Sequence, residues 1–125
     1  MPVAALIVTH GEVGRAMLES ISRTLGPQAD VAVVSNDGLS LEQLTERVRA
    51  RLERRPTVVF VDFCGGSPYI VCCTARPAYP HVAVISGVNL PMLISFFTKR
   101  NKLPFAELVT TVKADGLRGI ELQSE

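Results

Sequence analysis

The chain is predicted to fold as an α/β domain with a doubly wound, mainly parallel sheet. Two patterns in its 125 residues carry that expectation. Short, nearly unbroken apolar runs alternate with segments whose apolar residues recur every three to four positions. Strands that read as continuous apolar runs are buried on both faces, and such strands belong to parallel sheets covered by helices. In addition, glycine, serine and titratable residues collect just after the apolar runs. In open α/β sheets that is the rim where ligands bind.

The elements follow in order. Val3–Thr9 is strand one, and His10-Gly11 turns the chain into helix one, Glu12–Leu25. Val13, Met17, Ile21 and Leu25 share a face of that helix at i, i+4 spacing, and Gly26-Pro27 stops it. Val31–Ser35 is a short second strand. Ser40 begins helix two, with Gln43 three residues on completing a capping box. Leu41, Leu44, Val48 and Leu52 form its apolar stripe, and Arg54-Arg55-Pro56 ends it with cations at the negative end of the helix dipole.

Thr57–Phe63, rich in β-branched residues, is strand three. In the turn Gly65-Gly66-Ser67-Pro68, the Ser-Pro pair suits the N-cap and first position of a third helix over Tyr69–Arg76. Val82–Ser86 is strand four. Gly87-Val88-Asn89 follows as a turn, and Pro91 opens a helix lined by Leu90, Leu93, Ile94 and Phe97 and closed by Lys99-Arg100. Phe105–Lys113 reads as a last short helix ended by Asp115-Gly116. Arg118–Leu122 reads as a final strand, antiparallel at a sheet edge or reaching a neighbouring subunit. Without repeats or a linker, residues 1–125 make one domain.

Composition narrows the function. Apolar residues make up 47% and charged residues 20%, a globular balance able to bury a core. The net charge is +1, which supplies no field for nucleic acid or an anionic membrane. Tryptophan is absent and aromatics are 6%, which disfavours base-stacking platforms. No apolar stretch approaches the roughly 18 residues that span a bilayer. The N-terminus lacks a secretion signal, so a cytoplasmic location is expected. Cys64, Cys72 and Cys73 are an odd set with two adjacent members, poor geometry for disulfides. Free thiols follow, with Cys72 and Cys73 packed as small hydrophobes.

Three turns after strands one, three and four hold the polar residues: Thr9-His10-Gly11, Asp62 through Pro68, and Ser86 through Pro91. A parallel sheet puts all three on one rim. A neutral imidazole is a nucleophile near neutral pH if one ring nitrogen is held as a donor and the other presents its lone pair. Asp62 can accept from Nδ1–H of His10. The amides of Gly65 and Gly66, the Ser67 hydroxyl and the start of helix three form an anion-binding concavity. Together these parts describe a phosphohistidine site. Each part alone has an ordinary reading: a satisfied polar histidine, a turn-capping carboxylate, a helix start, a turn.

Thr9-His10-Gly11, Val61-Asp62 with Gly65-Gly66-Ser67-Pro68, and Gly87-Val88-Asn89-Leu90-Pro91-Met92-Leu93 closely resemble the mannose-family IIA domains of the bacterial phosphoenolpyruvate-dependent sugar phosphotransferase system. The resemblance continues through Phe105-Ala106-Glu107-Leu108-Val109 and Gly119. It implies that His10 accepts a phosphoryl group on Nε2 from the phosphocarrier HPr and passes it to a IIB component, which is expected on a separate chain because the sequence ends at Glu125 without a IIB domain. It implies that Asp62 orients His10 and that Ser67 helps hold the phosphoryl group, with Thr9, Gly11, Gly87 and Asn89 in supporting loops. It further implies a homodimer exchanging an antiparallel edge strand, contact with the membrane only through IIC and IID components, and no cofactor or metal. Cys64 and Tyr69 flank the second motif where the family accepts several residue types.

Other features have plain readings. Arg47, Arg49, Arg51, Arg54 and Arg55, interleaved with Glu42, Glu46 and Glu53, read as a solvated helix face. His81 precedes strand four, at the opposite end of the sheet from His10, so the rim lacks a second histidine for zinc. Phe96 and Phe97 read as core or dimer contacts. Two alternatives to a transport relay stand at this point. One is a regulatory protein reporting the phosphorylation state of the same histidine. The other is a small-molecule-binding module with His10 and Asp62 as ligand contacts. The phosphoryl-donor subunit of dihydroxyacetone kinase has a similar strand-one histidine, but Gly87-Val88-Asn89-Leu90-Pro91 points to the sugar-transport branch.

Overall fold

In the computed structural model, residues 2–52 and 55–124 are described. Four strands, β1 (Ala4–Thr9), β2 (Val31–Ser35), β3 (Thr57–Val61) and β4 (Val82–Ser86), form one parallel sheet in the order β2-β1-β3-β4. Ile7 lies opposite Val33 on one side and Phe60 on the other, and Phe60 lies opposite Ile85. Helices α1 (Val13–Leu25), α2 (Leu41–Arg49), α3 (Ser67–Ala75), α4 (Leu90–Lys99) and α5 (Phe105–Arg118) cover both faces, with a 3₁₀ turn over Arg76–Ala78.

The two-residue period of the strands divides the core. Ala5, Ile7, Val58, Phe60 and Ile85 point to the side of α1, α4 and α5, where Ile21, Leu93, Phe96, Leu108 and Val112 meet them. Leu6, Val8, Val59, Val61 and Val82 point the other way, onto Leu44, Val48, Leu52, Val71, Cys72 and Ala75 around α2 and α3. Both faces of every central strand are therefore buried, which explains the unbroken apolar runs. At the lower rim the buried Arg100 guanidinium lies 5.1 Å from the Phe97 ring centroid and donates to the Val3 and Ala29 carbonyls.

Several expected boundaries move. Val13 and Leu41, expected on buried stripes, are exposed because each opens its helix, where the chain is just leaving the rim. Helix α2 has the expected Ser40–Gln43 capping box but stops at Arg49. Arg55 is then free of the helix and pairs with Asp30 while donating to the Pro2 carbonyl. Glu53 and Arg54, part of the expected charged face, lie outside the described residues. Strand β3 ends at Val61, so Asp62 and Phe63 already belong to the turn. Helix α3 starts at Ser67 with Gly66 as its N-cap, so Ser67 is the first helical residue and not the cap.

The largest correction is at the C-terminal end. Helix α5 runs through Asp115 and Gly116 to Arg118. Asp115 does not stop the helix. Its carboxylate accepts from Ser95 Oγ at 2.6 Å and pairs with Lys99 and Arg118, tying α5 to α4. Gly116 is there for close approach: a Cβ would sit 2.8 Å from Met92 Cε. Residues 118–122 therefore form no strand within this chain. Arg118 ends α5, and residues 119–124 are irregular and exposed, with Ile120 and Leu122 open to solvent. The cysteines divide as well. Cys72 is buried, and that burial together with the neighbouring Cys73 pushes its thiol up to about 12, while Cys73 is half-buried and Cys64 exposed.

Candidate active site

The direction in which the chain winds across the sheet reverses between β1 and β3. From β1 the chain winds outward to β2, then returns to lay β3 on the other side of β1. Such a reversal opens a crevice at the carboxyl ends of the two strands. His10 follows β1 at this crevice, and Asp62 follows β3.

The β1 turn is built from both sides. Thr9 is fully buried, and its Oγ1 accepts from the Gly14 amide at 2.8 Å. Gly14 lies so close to the sheet that a Cβ would be 3.0 Å from Ile7, Thr9 and Val33 atoms. Gly11 adopts a left-handed φ of 52°, which lets the chain reverse directly into α1. The Gly11 amide faces Asn36 Oδ1 at 3.4 Å, a neighbour that the sequence does not mark as part of the site.

Asp62 Oδ2 accepts twice from His10, from its backbone N–H at 2.9 Å and from Nδ1 at 2.9 Å. Asp62 Oδ1 accepts from the Phe63 amide at 3.1 Å. Burial works to raise the carboxyl pKa, but the bonds from the His10 amide and ring, the imidazole charge and the Phe63 amide together hold it below the ordinary value of 3.8. An ionised carboxylate only accepts, so Nδ1 carries the proton in this bond, and in the neutral form of the ring Nε2 keeps the lone pair. The His10 side chain is 36% exposed against 12% for Asp62, so the imidazole faces outward and the carboxylate lies inside.

Gly66 closes the other edge of the imidazole. A Cβ there would be 2.6 Å from Cε1 and 3.0 Å from Nε2 of His10. Nε2 therefore lies against the turn that opens α3. Gly65 has a φ of 104°, a conformation suited to glycine. The amides of Ser67 and Tyr69 fall in the first turn of α3, whose donors lack helical partners and whose dipole is positive. Ser67 sits at that N-terminus as its first residue. The sequence-predicted set His10, Asp62, Gly65, Gly66 and Ser67 thus gathers at one crevice.

The third turn does not join it in the same way. Gly87 and Asn89 follow β4, beyond β3 from His10. Asn89 Oδ1 accepts from the Met92 amide at 2.9 Å and Nδ2 donates to the Gly116 carbonyl at 2.9 Å. Its polar atoms cap α4 and tie it to α5, a structural role. Conversely, Phe63 was not expected at the site. Its ring stacks on the His10 imidazole at a centroid distance of 4.7 Å and an interplanar angle of 2°. The available signal was a large apolar residue directly after Asp62, in a turn too exposed to bury it.

Residues 4–113 match the family model EIIA-man, described as "PTS system fructose IIA component". The chain belongs to this family. This IIA protein is 34% identical over 127 aligned positions to the "PTS system mannose-specific EIIAB component" of Escherichia coli K12, an alignment covering 97% of the chain and 39% of that protein. It therefore spans about two fifths of the length of that relative. It is 26% identical to the "PTS system fructose-specific EIIA component" of Bacillus subtilis, covering 98% of this chain and 88% of that one. Among solved structures, the phosphotransferase system component EIIA from Streptococcus agalactiae superposes with a TM-score of 0.90 at 25% identity, over 95% of each chain. The mannose/sorbose-specific IIA subunit from Enterococcus faecalis superposes with a TM-score of 0.83 at 27% identity, over 100% of this chain and 97% of that one. The α/β architecture of the IIA fold is thus shared. Among the described residues, no helix is long and apolar enough to cross a membrane.

Proposed function

We propose that this IIA protein relays a phosphoryl group through His10, taking it from phospho-HPr and giving it to a IIB component for sugar uptake. The observation carrying the reading is the Asp62–Nδ1 bond, which leaves Nε2 as the free nucleophile beside the N-terminus of α3. In the transfer, the Nε2 lone pair forms the new N–P bond as the donor nitrogen leaves with the electrons of the old one. The proton on Nδ1 stays where Asp62 holds it. The Ser67 hydroxyl and the amides at the start of α3 are the donors for the phosphoryl oxygens, and reversal of the same step loads IIB. A relay must release what it binds, so these donors favour the in-flight group over the resting phosphohistidine. The site works in the cytoplasm, where HPr is, and reaches the membrane only through IIC and IID.

Incubation with enzyme I, HPr and labelled phosphoenolpyruvate should place acid-labile label on Nε2 of His10, and added IIB should remove it. Absence of label, or label mapped to any other residue, overturns the reading.

The working unit is proposed to be a homodimer. Strand β4 is a sheet edge. Beside it runs a groove of about 520 Å³ lined by Ile85, Met92, Val109, Leu117 and Ile120 among others. An antiparallel segment from a second copy, residues 119–124, would pair with that edge and cover Ile120 and Leu122. Sedimentation equilibrium should give a dimer for the full chain and a monomer after truncation at Gly119; a full-length monomer at micromolar concentration contradicts the exchange.

A further inference from the structure

We propose that Phe63 is a positioning residue for His10, holding the imidazole plane and favouring the phosphorylated ring. The proposal rests on the relay reading above. Burial does not account for the placement of Phe63, since the residue is 52% exposed. What it does contact is the imidazole, in a plane parallel to within 2° and 4.7 Å away between centroids, the geometry of an offset stack.

The stack supplies a constraint that Asp62 does not. A hydrogen bond at Nδ1 sets the direction of one ring atom but leaves the ring free to tilt about the Nδ1···Oδ2 line. Gly66 limits motion in the plane at Cε1 and Nε2. Phe63 blocks one face, so the three contacts together fix where Nε2 points. The parts are also linked. The Phe63 amide donates to Asp62 Oδ1, so the carboxylate that holds Nδ1 also anchors the backbone that carries the stacking ring.

Charge adds a second effect. With Nδ1 protonated, bonding of Nε2 to phosphorus leaves the imidazole formally cationic. The face of an arene is the negative part of its quadrupole, so it attracts a cationic ring more than a neutral one. Loss of the phosphoryl group returns the ring to its neutral form, so this attraction is lost as the N–P bond breaks and the phosphorylated state lives longer in water.

The experiment compares wild type with Phe63→Leu, which keeps apolar bulk without the arene, and Phe63→Tyr, which restores it. Wild type and F63Y should show the His10 ring protons shifted upfield by the stacked ring current, and F63L should lose the shift. After HPr is removed, spontaneous loss of label should be about 2- to 10-fold faster in F63L, and F63Y should restore the wild-type rate. Equal lifetimes in wild type and F63L, or no ring-current shift in wild type, overturn the proposal. If wild type takes up no phosphoryl group, the relay reading fails. The ring-current comparison then decides the positioning role by itself.

Discussion

Asp62→Asn is expected to slow phosphoryl uptake by His10 about 10²- to 10⁴-fold, the scale seen when an orienting carboxylate beside a reactive imidazole becomes an amide. The cause is donor and acceptor matching. Asp62 offers two accepting oxygens and uses both, Oδ2 toward His10 and Oδ1 toward the Phe63 amide. Asparagine offers one oxygen and one NH₂. If the oxygen faces His10, the NH₂ confronts the Phe63 N–H. If it faces Phe63, the NH₂ confronts the His10 amide and favours the tautomer with the proton on Nε2, which has no nucleophilic lone pair. The negative charge beside the phosphorylated ring is lost in either case. Rapid-quench measurement of label transfer from phospho-HPr reads the effect directly, and a rate within about threefold of wild type would rule out the orienting role.

The same variant has a pH signature. The folded state holds the Asp62 carboxyl below its ordinary value of 3.8, so its ionised form binds the fold better than its protonated form. That contribution is complete above the unfolded pKa and disappears as pH falls through the lower folded value. Asparagine does not titrate. The stability gap between wild type and D62N should therefore be full at about pH 7 and shrink below about pH 4. Urea unfolding at the two pH values measures it.

Gly66→Ala is the second large effect, and it separates activity from folding. The backbone of Gly66, at φ −83° and ψ 171°, suits any residue, so alanine brings no conformational strain. Its Cβ would nonetheless lie 2.6 Å from His10 Cε1 and 3.1 Å from Phe63 Cε1. The imidazole cannot yield easily, because Asp62 holds one edge and Phe63 one face. A displacement near 1 Å at a reacting atom costs about 10²-fold. Uptake should fall by that order while the thermal midpoint changes little. Gly65→Ala should differ in its cause and its stability cost: its Cβ meets nothing within 4 Å, but the φ of 104° strains the turn, so the thermal midpoint should fall. A G66A protein that takes up phosphate at the wild-type rate would falsify the placement of Nε2 against this turn.

Which parts were legible in the chain follows from how local each signal is. Val58 and Phe60 bury one side of β3, and Val59 and Val61 the other, so the apolar run itself marked a central strand. Ser40 and Gln43 marked a helix start because their capping box closes within one turn. Asp115 and Gly116 misled because they look like a helix stop locally. Their real partners are Ser95, Lys99 and Met92 on another helix, and those contacts keep α5 going. Asn89 was expected in a supporting loop, and its side chain bridges the Met92 amide and the Gly116 carbonyl, a partner 27 residues away that no local pattern marks.

The sequence by itself determined the chemistry available: one histidine after the first strand, one carboxylate after the third, and a Gly-Gly-Ser-Pro turn to follow. It also determined the elements that carry them, because hydrophobic period, caps and turns act over a few residues. Only the tertiary structure decided that β1 and β3 lie side by side, which brings Asp62 to His10 across 52 residues. It alone decided that Phe63 lies flat on the imidazole and that Gly66 abuts Nε2. Strand order and side-chain packing are settled by contacts between distant segments, and no local pattern in the chain records them.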